Sequence, residues 1–173
     1  MAENKPQLWV DGYNLLFADE YLKELTKENI QAAARMLIEK VAEYAAANAL
    51  AATIFFDNKN YQGPVQEEEY LGVRIISGSK KESADDLIEK MSFNFSGDHE
   101  VVLITSDNLL QQLVANKLKL VRIVEANRFN KLFQEMRERS SGRDKKNTIS
   151  VKLVDILKHE AKSFLEERRH GRV

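Results

Sequence analysis

The 173-residue chain contains no cysteine, which excludes disulfides, zinc–thiolate sites and thiol nucleophiles. No apolar run approaches the ~20 residues of a membrane-spanning helix, and the opening MAENKPQ lacks the basic-then-apolar order of a secretory signal. We therefore expect a cytoplasmic protein without a membrane partner. The patterns GxGxxG and GxxxxGKS/T are also missing, so dinucleotide-binding and P-loop sites are unsupported.

What is present is the composition of an ordinary folded domain, with 43% hydrophobic and 31% charged residues. The net charge of −1 is unevenly distributed: residues 1–127 carry −7 and residues 128–173 carry +6. An acidic body joined to a basic C-terminal quarter could hold cations at one place and polyanions at another. Alternatively, the C-terminal Lys and Arg residues merely solvate the outer faces of two helices.

Strand-like apolar runs alternate with helical patterns along the chain. We predict strands at residues 8–11, 52–56, 73–76, 101–104 and 120–124, and helices around residues 30–45, 84–91, 109–116, 127–139 and 149–164. Residues 12–29 are predicted to be a short polar loop with a helical turn. Residues 58–70, which contain Gly63-Pro64, are predicted to be a loop. Strands separated by helices imply right-handed crossovers and a mainly parallel sheet of about five strands, covered on both faces.

Acidic residues lie at or just after the ends of three predicted strands: Asp11, Asp57 and Asp107. A fourth, Asp85, opens a predicted helix with Asp86 beside it. Because the carboxyl ends of parallel strands meet at one edge of a sheet, we expect these side chains to lie close together. Hard cations such as Mg²⁺ prefer oxygen ligands, and neighbouring carboxylates cannot all stay ionised without a cation. The pattern predicts a metal-binding acidic cluster.

Each aspartate also has a purely structural explanation. Asp85 and Asp86 suit the first turn of a helix, where a negative charge is worth ~0.3–1 kcal/mol. Asp107 could cap the following helix, and Asp11 and Asp57 could be ordinary turn residues. Their equivalent positions after successive strands favour the cluster, and hydrolysis of a phosphodiester bond would give a metal ion there a purpose.

Four motifs carry a family resemblance: VDGYN at residues 10–14, FFD at 55–57, ESADDLIEKM at 82–91 and TSD at 105–107. Together, in this order, they resemble the NYN-domain ribonucleases, relatives of the PIN-domain nucleases, and are most similar to the YacP-like bacterial branch. The resemblance implies a three-layer α/β/α sandwich with additional C-terminal helices. The polar stretch SSGRDKKN at residues 140–147 indicates a link to an appended helix. We therefore expect the nuclease domain to cover residues 1–140, and the linker and basic C-terminal helix of residues 141–173 to pack on the same domain.

The same resemblance implies an endoribonuclease that uses Mg²⁺ or Mn²⁺ to hydrolyse single-stranded RNA, in mRNA decay or RNA processing. The positions that match the acidic residues of the family are Asp11, Asp85 and Asp107, with Asp57 as a further candidate ligand. Asn14 matches the polar residue next to the site. In this mechanism Asp11 and Asp107 hold the principal ion, and Asp85 is a ligand or positions the attacking water.

Further contacts to RNA are expected from hydroxyl and basic groups. Thr105 and Ser106 could hydrogen-bond a phosphate or a metal-bound water. The basic candidates for RNA phosphates are Arg35, Lys80, Lys81, Arg143, Lys145 and Lys146. Association with a ribosome is a further expectation for the basic segment.

Three other interpretations remain open at the level of sequence. A receiver domain also places aspartates at strand ends, but it needs an acidic pair after the first strand, and Asp11 stands alone. A haloacid-dehalogenase-type phosphatase needs a second aspartate where Tyr13 stands. The third is a non-catalytic RNA-binding module with the same fold.

Overall fold

The computed structural model describes residues 5–141. The strands are β1 (Gln7–Asp11), β2 (Ala51–Phe56), β3 (Gln66–Tyr70), β4 (Val73–Ser77), β5 (Val101–Ile104) and β6 (Val121–Val124). The helices are α1 (Gly12–Ala18), α2 (Glu20–Glu28), α3 (Ile30–Ala47), α4 (Ala84–Asn94), α5 (Asn108–Lys117) and α6 (Ala126–Ser141). The five strands predicted from the apolar runs are all present. No helix within these residues is long and apolar enough to cross a membrane.

A single sheet of six strands organises the described residues, in the order β3-β4-β2-β1-β5-β6. All neighbouring pairs are parallel except β3 and β4. The chain first moves from β1 outward to β2 and β4, then returns across the sheet to β5 and β6. Because right-handed crossovers in opposite directions lie on opposite faces, this order covers the sheet on both sides. The α/β architecture of a mostly parallel, helix-covered sheet is confirmed.

The two faces of the sheet bury different helices. On one face Trp9, Phe55 and Leu103 belong to a single apolar cluster with residues of α4 and α5. Side chains alternate between faces along a strand, so the neighbouring buried residues of β1 and β2 point to the other side, where α3 lies. There α3 and α6 pack together, with the Tyr44 and Phe129 rings 4.8 Å apart edge to face.

Strand β3 corrects the prediction that residues 58–70 form only a loop. Gln66–Tyr70 pairs antiparallel with β4 at the edge of the sheet, and its side chains are largely exposed. The connecting Leu71 and Gly72 both have positive φ angles, 53° and 74°, as a tight two-residue hairpin turn requires. The acidic sequence QEEEY hides this strand because an exposed edge needs no alternation of apolar residues, and its charges oppose pairing with another chain.

Helices α1 and α2 replace the short polar loop that was predicted after β1. Asp11 is the N-cap of α1, and its carboxylate accepts a hydrogen bond from the Asn14 amide. Gly12 is therefore the first residue of a helix, not a turn that breaks the chain. A Cβ at this position would lie 2.6 Å from the Phe56 ring and 2.7 Å from the Phe55 carbonyl oxygen, so only glycine lets α1 start directly against β2.

The predicted boundary near residue 140 falls at the end of α6. The linker, the last predicted helix and its packing on the rest of the chain lie outside the described residues.

Candidate active site

The strand-end aspartates converge where the sheet order changes direction. Asp11 ends β1, and Asp107 follows β5, the strand beside β1. In open α/β sheets, ligands bind outside the carboxyl ends of the strands at such a switch point. The parallel strands run third-second-first-fourth-fifth in chain order, whereas receiver domains run second-first-third-fourth-fifth. This order argues against the receiver interpretation.

Asp11 is the most enclosed carboxylate at this edge, with 8% of its surface exposed. Its two oxygens accept hydrogen bonds from the backbone N–H of Asn14 at 3.3 Å and from the Thr105 hydroxyl at 3.1 Å. Burial is the main cause that raises the pKa of Asp11 to about 6. The two hydrogen bonds oppose it, and the negative charges of Asp85 and Asp57 add to it. A carboxylate held near neutral titration inside a sheet edge is typical of functional sites.

Thr105 joins the two strands that carry Asp11 and Asp107. Its fully buried hydroxyl donates to Asp11 and accepts from the Asp107 amide at 3.1 Å. Its single proton is donated to Asp11, so this hydroxyl does not donate to a phosphate here, whereas its second lone pair can still accept from a metal-bound water. Thr105 positions the acidic residues on either side of it.

Asp107 combines the capping role considered from the sequence with a place at the site. One of its oxygens accepts from the amides of Leu109 and Leu110, at 2.8 and 3.0 Å, and so caps α5. Within residues 5–141 its other oxygen has no hydrogen-bond partner. Capping fixes the side chain without occupying the whole carboxylate, so the structural and functional explanations are compatible.

Asn14 connects the loops that follow β1 and β5. Its side-chain oxygen accepts from the Ser106 amide at 2.9 Å, which ties the start of α1 to the segment leading into α5. The Ser106 hydroxyl in turn accepts from the Ala126 amide at 3.2 Å, at the start of α6. Both residues thus brace the edge of the sheet around Asp11.

Asp57 and Asp85 form the other side of the site, around β2 and α4. Asp57 accepts from the Ala84 amide at 2.7 Å, and this bond sets the N-terminus of α4 beside β2. No hydrogen bond or ion pair from the described residues reaches the Asp85 carboxylate. Loss of hydration, followed by the negative charges of Asp107, Asp57 and Asp86, raises the pKa of Asp85, which Lys59 partly offsets.

Asp86 has the structural role that its position at the start of α4 suggests. It forms a capping box with Ser83, whose amide and hydroxyl donate to the carboxylate at 2.8 and 2.6 Å. These hydrogen bonds lower the pKa of Asp86. The adjacent aspartates therefore differ: the charge of Asp86 is satisfied by its own helix, and that of Asp85 is not.

The four carboxylates influence one another electrostatically, as the pKa values of Asp11 and Asp85 indicate. They are not drawn into a ready-made cage, since residues 5–141 contain no group of three or more His, Asp or Glu side chains placed to hold a metal ion. Mutual repulsion between carboxylates favours such spacing. Their oxygen donors suit a hard divalent cation.

The basic candidates fall in different places. Lys80 and Lys81 are exposed on the loop before α4, and the Lys80 amide is bound to the Tyr61 carbonyl at 2.7 Å. Arg35 is on α3, with its guanidinium over the Tyr70 ring, 5.4 Å from the ring centre. The remaining three, Arg143, Lys145 and Lys146, lie outside the described residues.

Two features of the site were not predicted from the sequence. The first is the bridging role of Thr105, which depends on a contact between residues 94 positions apart. The only sequence signal for this role is that Thr105 lies two residues before Asp107. The aromatic residues Tyr13, Phe56 and Tyr70 line a cleft beside Asp57. The only sequence signal for this cleft is Tyr13 in the VDGYN motif.

Comparison with known proteins places this architecture in a family. The family model described as the YacP-like NYN domain matches residues 8–170. The uncharacterized protein YacP of Bacillus subtilis (strain 168) is 33% identical over 85 residues. That match covers 49% of this chain and 50% of the relative, so the chain matches about half the length of this curated relative.

Solved structures show the same relationship over more of the chain. The crystal structure of Rae1 (YacP) from Bacillus subtilis is 27% identical and covers 95% of both chains, with a TM-score of 0.65. The crystal structure of a single-residue mutant of that protein is 25% identical over 80% of both chains, with a TM-score of 0.65. NYN domains share the PIN-like fold, and proteins with this fold are generally nucleases. The family match therefore points to a nuclease or RNA-related function. On the family match and the shared fold, this chain belongs to the YacP-like NYN family.

Proposed function

We propose that the protein is a divalent-metal-dependent endoribonuclease that hydrolyses phosphodiester bonds in single-stranded RNA, as in mRNA decay or RNA processing. The observation that carries this proposal is the buried Asp11 at the switch point of the sheet, with its pKa raised to about 6 and three further carboxylates acting around it. A site with this much unbalanced negative charge is suited to a cation, and a cation there is suited to a phosphodiester.

The residues present fit Mg²⁺ or Mn²⁺. The candidate ligands Asp11, Asp57, Asp85 and Asp107 offer hard oxygen donors, and Asp85 has no partner among the described residues that would compete for it. When bound, such an ion lowers the pKa of a coordinated water and neutralises charge on the phosphate.

In this proposal the protein residues position the carboxylates and the attacking water. Thr105 and Asn14 fix the edge on which Asp11 and Asp107 stand. Asp85, exposed and without a hydrogen bond from the described residues, is the group that orients the attacking water and accepts its proton. Loss of hydration and the neighbouring carboxylates raise the pKa of Asp85, and a higher pKa makes a carboxylate a stronger base.

Substrate grip in this proposal comes from the exposed Lys80 and Lys81 and from the basic segment with Arg143, Lys145 and Lys146. Phosphate contacts of this kind give affinity without sequence preference. The same basic segment is where association with a ribosome would be made.

The test is cleavage of a labelled single-stranded RNA panel with Mg²⁺ or Mn²⁺, and with excess EDTA. Cleavage should stop in EDTA and return with the metal, because carboxylates alone do not activate water at neutral pH. A parallel measurement follows the melting temperature, which should rise with either metal, since binding to the folded state stabilises it. Cleavage undiminished by chelator would overturn the metal-dependent mechanism.

The alternative is a non-catalytic RNA-binding module with the same fold. It predicts RNA binding without cleavage under any metal. The convergence of all four carboxylates at one edge favours the enzyme, because RNA phosphates would be repelled by uncompensated acidic groups.

A further inference from the structure

A cleft of about 620 Å³ opens next to Asp57, between α3 and the part of the sheet formed by β2, β3 and β4. Its lining residues include Tyr13, Arg35, Phe56, Asp57, Glu68 and Tyr70. Because Asp57 belongs to both the cleft and the carboxylate edge, a ligand in the cleft adjoins the candidate active site. None of the roles proposed above for the site uses this space.

Aromatic rings form one wall of the cleft. The Tyr13 ring packs edge to face on Phe56, with centres 5.4 Å apart, and nearly parallel to Phe17 at 5.9 Å. Tyr13 is only half-buried, so part of its ring remains available to a ligand. Tyr13 thus lines the cleft with a ring that is packed against two other aromatic residues.

A second part of the lining combines a guanidinium with an aromatic ring. Arg35, which is exposed on α3, holds its guanidinium over Tyr70 of β3. A guanidinium stacked on an aromatic ring is a flat surface on which a nucleobase can stack in turn. Both Arg35 and Tyr70 line the cleft.

The charges of the cleft select against a phosphate and in favour of a neutral, flat group. Asp57, Glu68 and Glu69 all line it, with Arg35 as the cation among the described lining residues. These three carboxylates would repel a negatively charged phosphate in the cleft. A nucleobase has no charge, and the carboxylates can accept hydrogen bonds from its N–H groups.

We propose that this cleft holds one unpaired nucleobase of the RNA strand, beside the phosphodiester bond that is cut. The inference rests on the proposed function and deepens it, since it makes the enzyme sensitive to the base next to the cleavage point. Arg35 then acts as part of a stacking surface and not as a phosphate contact. Recognition of splayed-out bases by aromatic and guanidinium planes is the general mode for single-stranded RNA.

The decisive experiment is an abasic scan of the wild-type protein. A short RNA that the protein cleaves is resynthesised with one abasic nucleotide at each position in turn, and binding is measured by fluorescence anisotropy in EDTA, where the strand stays intact. One position next to the cleaved bond should weaken binding by roughly tenfold, the size of one base stacked on an aromatic ring. A scan without any such position overturns the proposal.

Variants then assign that position to the cleft. Arg35→Ala and Tyr70→Leu should weaken binding of the intact RNA and leave binding of the abasic RNA unchanged, because the base they contact is already gone. The matched control is Arg139→Ala, which removes the same charge from an exposed residue of α6 that does not line the cleft. It should retain the full difference between intact and abasic RNA.

The outcomes separate this inference from the proposed function. If metal-dependent cleavage occurs and the abasic scan is flat, the nucleobase subsite is wrong and the nuclease stands. If the abasic effect persists in both cleft variants, the base is held elsewhere and the inference is again wrong. If the protein binds the intact RNA with the abasic effect but never cleaves, the subsite stands and the nuclease mechanism fails. In that case the scan is centred on whichever nucleotide the protein protects.

Discussion

Two halves of the same carboxylate edge are built differently. The inner pair, Asp11 at the end of β1 and Asp107 in the segment after the adjacent β5, is joined through the buried Thr105 hydroxyl, with further hydrogen bonds from the starts of α1 and α5. The outer pair, Asp57 and Asp85, is linked only indirectly: Asp57 holds the Ala84 amide, and Asp85 follows as an exposed side chain.

The inner pair is therefore held in place before anything binds, whereas Asp85 is free to move. Fixed inner carboxylates need no reorganisation when a cation or a developing charge arrives, which is the main source of electrostatic catalysis in enzymes. Asp85 is exposed and has no hydrogen bond from the described residues, so it can change its rotamer without breaking a contact. We infer that the inner pair defines the position of the site and that Asp85, the unrestrained member of the outer pair, adapts to what is bound.

The largest effect is expected from the inner pair in catalysis. Asp11→Asn and Asp107→Asn should each lower the cleavage rate at least ~10²-fold, the cost of removing one strong electrostatic contributor. Both variants should melt no lower than wild type, because asparagine also caps helices and the change relieves repulsion. Single-turnover cleavage and thermal melts measure the two effects.

The matched control is Asp86→Asn, next to Asp85 but bound to Ser83. It should keep its cleavage rate. Near-full activity in either inner variant would assign that aspartate a structural role alone.

A second prediction uses the pKa of Asp11. Unfolded, this carboxyl titrates near 3.8, and folded near 6, so the folded state binds the proton more tightly. The extra stability is complete below about pH 4 and is lost as pH rises through about 6, by on the order of 3 kcal/mol. Urea midpoints in EDTA across this window should fall for wild type more than for Asp11→Asn. Equal pH dependence in the two proteins would contradict the burial of an ionisable Asp11.

The bridge between the inner residues gives a smaller effect. Thr105→Val removes the donor to Asp11 and the acceptor of the Asp107 amide, and should destabilise the fold by ~1–3 kcal/mol. It should also raise the pKa of Asp11 further and shift the pH profile of cleavage upward. Thr105→Ser keeps the hydroxyl and should restore most of both properties. If valine left the pH profile in place, Thr105 would not control Asp11.

The smallest effect is expected on RNA affinity, from basic residues outside the inner and outer aspartate pairs. Changing Lys80 and Lys81 to Ala should flatten the log–log salt dependence of RNA binding by up to ~1.4, at ~0.7 per contact. Changing Arg143, Lys145 and Lys146 together should flatten it by up to ~2. The control pair is Lys23 and Lys119, exposed lysines of α2 and of the segment before β6. Anisotropy at several salt concentrations decides, and an unchanged slope would mean that those residues only solvate the surface.

Much of the fold could be predicted because its signals are local. Apolar runs indicated β1, β2, β4, β5 and β6, and helical spacing indicated α3 to α6. Strand β3 escaped because an exposed edge carries no apolar alternation. Helix α1 escaped because it has only seven residues and begins at a glycine, where local preference predicts a turn.

The site divides in the same way. The sequence by itself determined that Asp11, Asp57 and Asp107 reach one edge, because residues at or just after the carboxyl ends of parallel strands lie on the same edge of a sheet. Only the tertiary structure decided which of them differ in character. Burial raises the pKa of Asp11, a hydroxyl from residue 105 reaches across to it, and Ser83 satisfies Asp86 while leaving Asp85 free of hydrogen bonds from the described residues. Solvation and long-range hydrogen bonds depend on neighbours that the chain brings together only when it folds, so no local pattern records them.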